Sequence, residues 1–122
     1  MSAIDLAISE FGQSIDIAGL RLDDNDLVCL QFESSGSLML QRVEDSLLIL
    51  LVRPFDRFRE DLLERALELC HPRQEHAFQP RASLTADEQL VLSLCLASRE
   101  VQLATLSQAV ALLVRLFDGL EK

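Results

Sequence analysis

Three short segments between residues 27 and 52 each carry the pattern of a β-strand, and only tight turns separate them. Leu27–Glu33 and Ser37–Val43 alternate between an apolar face and a more mixed one, which is the period of a strand. Ser34–Gly36 and Glu44–Asp45 supply turn residues between the segments. The third segment, Leu47–Val52, is apolar throughout, as expected of a strand covered on both faces. The sequence therefore predicts a β-meander whose third strand lies centrally in a sheet.

Two further strand signals follow the meander. Gln89–Ala97 places four leucines on one face of a strand, and a weaker signal lies near Phe78–Leu84, with the turn residues Thr85–Glu88 between them. Helical patterns precede the meander, follow it and end the chain, so the predicted order is α-β-β-β-α-β-β-α. This order predicts a single α+β domain over residues 1–122, an antiparallel sheet with helices packed on it.

The three predicted helices differ in how much of their surface is apolar. Residues 3–15 carry one apolar stripe, as expected of a helix packed on one side. The second helix, residues 57–70, is apolar over more than one face. The last helix, capped by Thr105 or Ser107 and running to about Leu120, is apolar nearly all round. If either of the later helices packed on one side only, part of its apolar surface would therefore remain exposed to water.

The surplus apolar surface of the second helix predicts a subunit interface, and hence a dimer. An alternative remains open, in which Leu63 and Leu67 only broaden the face that packs on the sheet. The residues expected at the interface are Phe58, Leu62, Leu63, Ala66 and Leu67.

Charge and composition restrict the partners. Twenty acidic residues face eleven basic ones, which gives a net charge of −9, so a phosphate backbone or an anionic membrane surface would be repelled. Aromatic residues make up only 5% of the chain, which disfavours surfaces that stack on nucleobases or sugars. We therefore expect no nucleic acid partner, and the predicted core is aliphatic.

The first residues and the cysteines indicate a cytoplasmic protein. Residues 1–5 lack the basic region of a signal peptide, and the longest apolar run, Leu47–Val52, is too short to span a bilayer. We expect no membrane insertion. The odd number and wide spacing of Cys29, Cys70 and Cys95 predict reduced cysteines within the core.

No residue pattern predicts catalysis. The two histidines, His71 and His76, lie in or beside one polar segment, and Cys70 and His71 are neighbours whose side chains point in different directions on a helix end. They lack the spacing of a zinc site, and the chain contains no phosphate-binding loop or dinucleotide fingerprint. We expect a protein that is not an enzyme and that uses no cofactor, nucleotide or metal.

The order of elements resembles that of the class I chaperones of bacterial type III secretion systems, over the whole chain. The stretches that carry the resemblance are the hairpin of Leu27–Glu33 with residues 35–40, the strand Leu47–Val52, the Arg53–Pro54 exit and the apolar last helix. Residues 35–38, Phe11 and residues 88–92 are most similar to chaperones of gatekeeper proteins. The resemblance implies a cytoplasmic homodimer, or a heterodimer with a second small chaperone, that binds the N-terminal segment of a secreted effector or gatekeeper protein in extended form.

The resemblance also implies where a client would bind. Apolar grooves near the first helix and the meander are expected to hold it, with core packing competing for the same side chains. The expected client-binding residues are Ile4, Ile8, Phe11, Val28, Leu30, Leu38 and Leu40. The alternative from another class is a dimeric scaffold module of the roadblock type, which would have helices on a five-stranded sheet and no unfolded client.

Overall fold

The computed structural model describes residues 2–32, 36–54, 61–71, 78–85, 87 and 89–120. Within them the predicted order α-β-β-β-α-β-β-α is confirmed, with one short 3₁₀ turn before the last helix. The elements are α1 (Ala3–Ser14), β1 (Leu27–Phe32), β2 (Gly36–Val43), β3 (Ser46–Pro54), α2 (Asp61–Leu69), β4 (Arg81–Leu84), β5 (Gln89–Ala97), the 3₁₀ turn (Ser98–Glu100) and α3 (Leu103–Leu120).

The five strands form one antiparallel sheet in the order β1-β2-β3-β5-β4, so β3 is central as predicted. The three helices share a core with one side of this sheet, which we call the inner face, and the opposite side is the outer face. Leu47, Ile49 and Leu51 are fully buried on the inner face. Leu48 and Leu50 point to the outer face and are only half-buried, so the prediction of cover on both faces is wrong for this part of β3.

Helix α1 begins at a capping box. The Ser2 hydroxyl accepts a hydrogen bond from the Asp5 amide, and the Asp5 carboxylate accepts one from the Ser2 amide. Near its end, Gly12 lets the following segment cross closely, because a Cβ there would lie 2.6 Å from Leu20 Cβ and 2.7 Å from the Ile17 carbonyl oxygen. The helix therefore needs glycine for close packing at a position where propensity alone favours another residue.

Helix α3 begins at Leu103, two residues before the first predicted cap. Thr105 lies inside the helix, where its hydroxyl accepts from the Gln102 amide and donates to the Glu100 carbonyl. Of the described helices, α3 alone has the length and hydropathy of a membrane span. Its largest apolar side chains, including the fully buried Phe117 and Leu113, lie in the core, and its exposed stripe includes Gln108 and Arg115.

One charged side chain is buried between β3 and α3. Arg53 is 5% exposed, its guanidinium lies 4.8 Å from the centre of the Phe117 ring, and its Nη2 is 3.1 Å from Asp118 Oδ1. The ring and the carboxylate both favour the cation, which offsets part of the cost of burying it. Arg53 thus ties the end of β3 to the last turn of α3.

The prediction that all three cysteines are core residues is wrong for two of them. Cys70 is buried, whereas Cys29 and Cys95 are exposed on the outer face. Cys29 lies between Val28 and Leu30, and Cys95 lies between Leu94 and Leu96. These neighbours point to the inner face, so the two-residue period of a strand turns each thiol the other way. All three are free cysteines.

Candidate functional site

Most of the predicted client-binding residues are core residues of the subunit. Five of the seven are at most 4% exposed, and only Val28 and Leu30, on β1, retain accessible surface. The five buried ones are Ile4, Ile8, Phe11, Leu38 and Leu40. A folded subunit can therefore offer β1, but not these five side chains, to another chain.

Strand β1 is an edge of the sheet, and its backbone can be assigned residue by residue. The Asp26 carbonyl accepts a hydrogen bond of 2.9 Å from the Arg42 amide, so even-numbered residues here face β2. The Leu27 carbonyl and amide instead face away from the sheet, and both bond to Asp23. By alternation, Cys29 and Gln31 also direct their N–H and C=O groups away from β2, and both residues are exposed.

An apolar strip lies beside this edge, on the inner face. The strip consists of Val28, Leu30 and Phe32, which are half-buried and pack against the core. Ile15, Ile17 and Leu22, in the segment that follows α1, are also half-buried against the same core. The client-binding residues predicted from the sequence do not include Phe32, although Phe32 lies on the same face of the strand pattern as Val28 and Leu30.

The end of β1 where the strand begins is acidic and is held in place by Arg42. The Arg42 guanidinium lies 3.4 Å from Asp26 Oδ1 and 3.6 Å from Asp5 Oδ1, so it links this turn to the first turn of α1. A hydrogen bond from the Ser2 hydroxyl, together with Arg42, holds the pKa of Asp5 below its ordinary value. Asp24 remains exposed in the same turn.

A second candidate surface surrounds α2. Leu62 and Ala66 lie in the subunit core, Leu63 is half-buried, and Leu67 is 52% exposed. Leu84 on the neighbouring strand β4 is 42% exposed and was not predicted at an interface. The predicted interface residue Phe58, with the first residues of the predicted helix, lies outside the described residues.

The described residues do not bring together a constellation for metal binding. No group of three His, Cys, Asp or Glu side chains within them could hold a metal ion. Burial raises the pKa of the Cys70 thiol, which makes it a poorer nucleophile at neutral pH. His76 lies outside the described residues.

Comparison with known families decides the assignment. The sequence profile described as type III secretory system chaperone SycN matches residues 3–120, almost the whole chain. The chain belongs to this chaperone family. No curated protein sequence matches it. The family assignment supports a chaperone role, and α3 is accordingly the core helix of a soluble fold.

Solved structures show the same fold at low sequence identity. A chain of the HopA1–SchA chaperone–effector complex is 18% identical, with a TM-score of 0.74, covering 93% of this chain and 89% of that one. A chain of the ExsC–ExsE complex is 16% identical, with a TM-score of 0.72, covering 99% and 92%. A chain of the Yersinia pestis complex of the type III secretion chaperone SycH with a fragment of YscM2 is 13% identical, with a TM-score of 0.71, covering 92% and 94%.

Proposed function

We propose that this type III secretion chaperone binds the N-terminal region of a secreted effector or gatekeeper protein in the bacterial cytoplasm. The bound segment stays extended and locally unfolded, and the client is thereby kept competent for secretion. The role is one of binding, with no chemical step and no cofactor. Support comes from the family assignment and from the similar fold found in a chaperone–effector complex.

The observation that carries the proposal is the open edge of β1 beside an apolar strip. The outward N–H and C=O groups of Cys29 and Gln31 can pair with an extended chain, as in other complexes in which a peptide adds a strand to a sheet. The half-buried row of Val28, Leu30 and Phe32 can receive every second side chain of that strand.

The site residues proposed here follow from burial. Val28 and Leu30 stay in the proposed client-binding set because they are accessible, and Phe32 is added to it. The five buried residues of α1 and β2 shape the groove from within the core without offering a surface of their own. The acidic turn at Asp23–Asp26 favours a client with basic residues at that end of the bound segment.

We also propose that the functional unit is a dimer, formed with a second copy or with another small chaperone. The exposed Leu67 and Leu84, with the half-buried Leu63, form an apolar surface on α2 and β4 that a second subunit would cover. Strand β4 lies at the opposite end of the sheet from β1, so dimerisation through this surface leaves the proposed client edge open.

Co-expression with the products of neighbouring open reading frames, followed by affinity capture, identifies the client. Calorimetry with its N-terminal peptide then tests the binding mode. We expect a large negative heat-capacity change, because binding buries apolar surface and orders the peptide, and only a modest loss of affinity at high salt. A heat-capacity change near zero with affinity that collapses in salt would contradict this proposal.

A proline substitution tests the strand pairing itself. Gln31→Pro removes an outward N–H while leaving the β1–β2 ladder intact, so it should weaken peptide binding by about 3- to 10-fold through one lost hydrogen bond. Gln31→Ala is the matched control, because it removes the same side chain but keeps the N–H. Equal affinity of the two variants would show that the client does not pair with β1.

A further inference from the structure

Strand β5 is longer than the strand that pairs with it on its outer side. Strand β3 pairs with every residue of Gln89–Ala97, whereas β4 pairs only with Leu90–Ser93. Among the described residues, the last four of β5, Leu94–Ala97, therefore have a strand neighbour on one side only. Within the part of the chain that the structure describes, this half-strand is an open edge, separate from β1.

The direction of the backbone groups follows from two hydrogen bonds. The Gln89 carbonyl accepts a bond of 2.9 Å from the Thr85 amide, so odd-numbered residues of β5 face β4. The Ser98 amide donates a bond of 2.7 Å to the Asp45 carbonyl, so even-numbered residues face β3. Cys95 and Ala97 consequently point their N–H and C=O groups to the open side, where no backbone group of the described residues bonds to them. Cys95 is exposed.

A groove of about 430 Å³ lies along this edge. It is lined on the outer face by Leu48, Gln79, Arg81, Ser93 and Cys95, together with Leu94. The groove offers space for side chains directly beside the unpaired backbone groups.

The charge of this region differs from that of the whole chain. Register places nineteen of the described strand residues on the outer face, and Arg81 is the one charged side chain among these nineteen. Arg81 is exposed and forms no ion pair with any described residue. In a chain of net charge −9, the Leu94 end of this edge thus lies beside Arg81, which pairs with no described carboxylate, and residues 94–97 carry no charge of their own; Asp45 lies beyond the Ala97 end.

We propose that the Leu94–Ala97 edge binds an extended acidic segment of a partner polypeptide. The segment pairs with the N–H and C=O groups of Cys95 and Ala97 and places a Glu or Asp against Arg81. Its remaining outward side chains are uncharged, because the outer face around them is uncharged. The same edge of a second copy fits less well, since residues 94–97 carry no carboxylate that could lie against Arg81.

Two synthetic peptides of about ten residues test this site on the full chain. Both alternate valine and threonine, and one carries glutamates where the other carries lysines. The net charge of the protein favours the lysine peptide non-specifically. At 0.15 M salt the screening length is about 8 Å, so a preference for the glutamate peptide must come from charges close to the bound peptide. We expect the glutamate peptide to bind about fivefold more tightly, and to slow hydrogen exchange at the Cys95 and Ala97 amides.

Two variants with matched controls locate the binding. Arg81→Glu should reverse the preference between the peptides, whereas Arg115→Glu, the same charge change on the exposed stripe of α3, should not. Ala97→Pro removes an outward N–H and should weaken the glutamate peptide about 3- to 10-fold, whereas Ala97→Ser retains the N–H and should not.

Thermal unfolding checks that each variant is folded. Binding of the glutamate peptide that is unchanged by both Arg81→Glu and Ala97→Pro would overturn the proposal. So would self-association that Ala97→Pro abolishes, because the edge would then belong to a second copy. The β1 variants leave this site intact, so the outcome here is independent of the client edge proposed above.

Discussion

Among the described residues, β1 and the last four residues of β5 are open strand edges with different surroundings. At β1 the outward backbone groups of Cys29 and Gln31 lie next to half-buried apolar side chains and an acidic turn. At β5 the outward groups of Cys95 and Ala97 lie next to an uncharged face and Arg81. Outward N–H and C=O groups thus lie beside apolar and acidic side chains at β1, and beside uncharged side chains and an arginine at β5. Because the backbone groups of the two edges are alike, we expect the side chains around each edge to select its partner.

The largest expected effect is on the stability of proline variants. On both edges, a proline should cost more where the lost N–H bonds to the neighbouring strand than where it points outward. Leu30→Pro and Leu96→Pro each remove an N–H that bonds within the sheet, and should lower the free energy of unfolding by about 3 kcal/mol or more. Gln31→Pro and Ala97→Pro should cost about 1 kcal/mol or less. Urea titration measures the four values, and equal losses within either pair would show that the assignment of backbone direction is wrong.

The proposed dimer surface lies on α2 and β4, so a variant there tests dimerisation separately from both edges. Leu67→Asp should weaken the dimer by about 3 kcal/mol, because the interface would bury an unpaired charge. Light scattering should then show a mass falling from twice 13.7 kDa to that of one subunit. The folded monomer should retain the glutamate-peptide preference. A variant that unfolds outright would instead assign Leu67 to the core.

Truncation of the apolar strip should affect client binding more than the fold. Phe32→Ala is expected to lower the affinity for the client peptide about tenfold and to cost about 1–2 kcal/mol of stability, since the ring is half-buried. Leu27→Ala is the control, because it truncates a half-buried side chain of the same strand on the outer face. Similar losses of client affinity for the two variants would place the client elsewhere.

Each open edge carries one exposed thiol, which makes labelling a direct comparison of the two. Cys29 and Cys95 should react with a maleimide much faster than Cys70, which is buried and has a raised thiol pKa. Client peptide should protect Cys29, and the glutamate peptide should protect Cys95. If the client peptide protected Cys95, or the glutamate peptide protected Cys29, the edges assigned to the two peptides would have to be exchanged. Replacement of Cys29 or Cys95 by serine should leave the fold intact.

The smallest expected effect concerns the clamp at the start of β1. The pKa of Asp5 is lowered in the folded state from its ordinary value of 3.8, so its contribution to stability is present above about pH 4 and is lost as the pH falls through the lower folded-state value. Asp5→Asn should therefore lower the melting temperature slightly at pH 7, and by less near pH 3. A difference that persists unchanged at pH 3 would show that the charge of Asp5 is not responsible.

Much of the fold could be predicted because its strands and helices have distinct periods. The bounds of β5, the order of elements and the central position of β3 follow from alternation and from the turn residues between segments. The start of α3 was predicted too late, because Thr105 bonds within the turn from Glu100 instead of capping from outside the helix. Local patterns thus identify elements well and their ends less well.

The candidate sites were predicted less completely, for a reason visible in α1 and β2. Ile8 and Leu38 have the same apolar spacing whether a sheet of the same chain or a client covers them, and in the folded subunit the sheet and helices cover both. Val28 and Leu30 have the same pattern but remain accessible, because β1 is an edge. Sequence periodicity reports which face is apolar and does not report what lies against it.

The sequence by itself determined the secondary structure, the aliphatic core, the acidic charge and the resemblance to secretion chaperones, because each depends on local residue pattern or on composition. Only the tertiary structure decided which strands became edges, that β4 stops short of Leu94, and that Cys29 and Cys95 face outward on those edges. Those features depend on the pairing of residues distant in sequence, since the length of one strand exposes or covers the backbone of its neighbour.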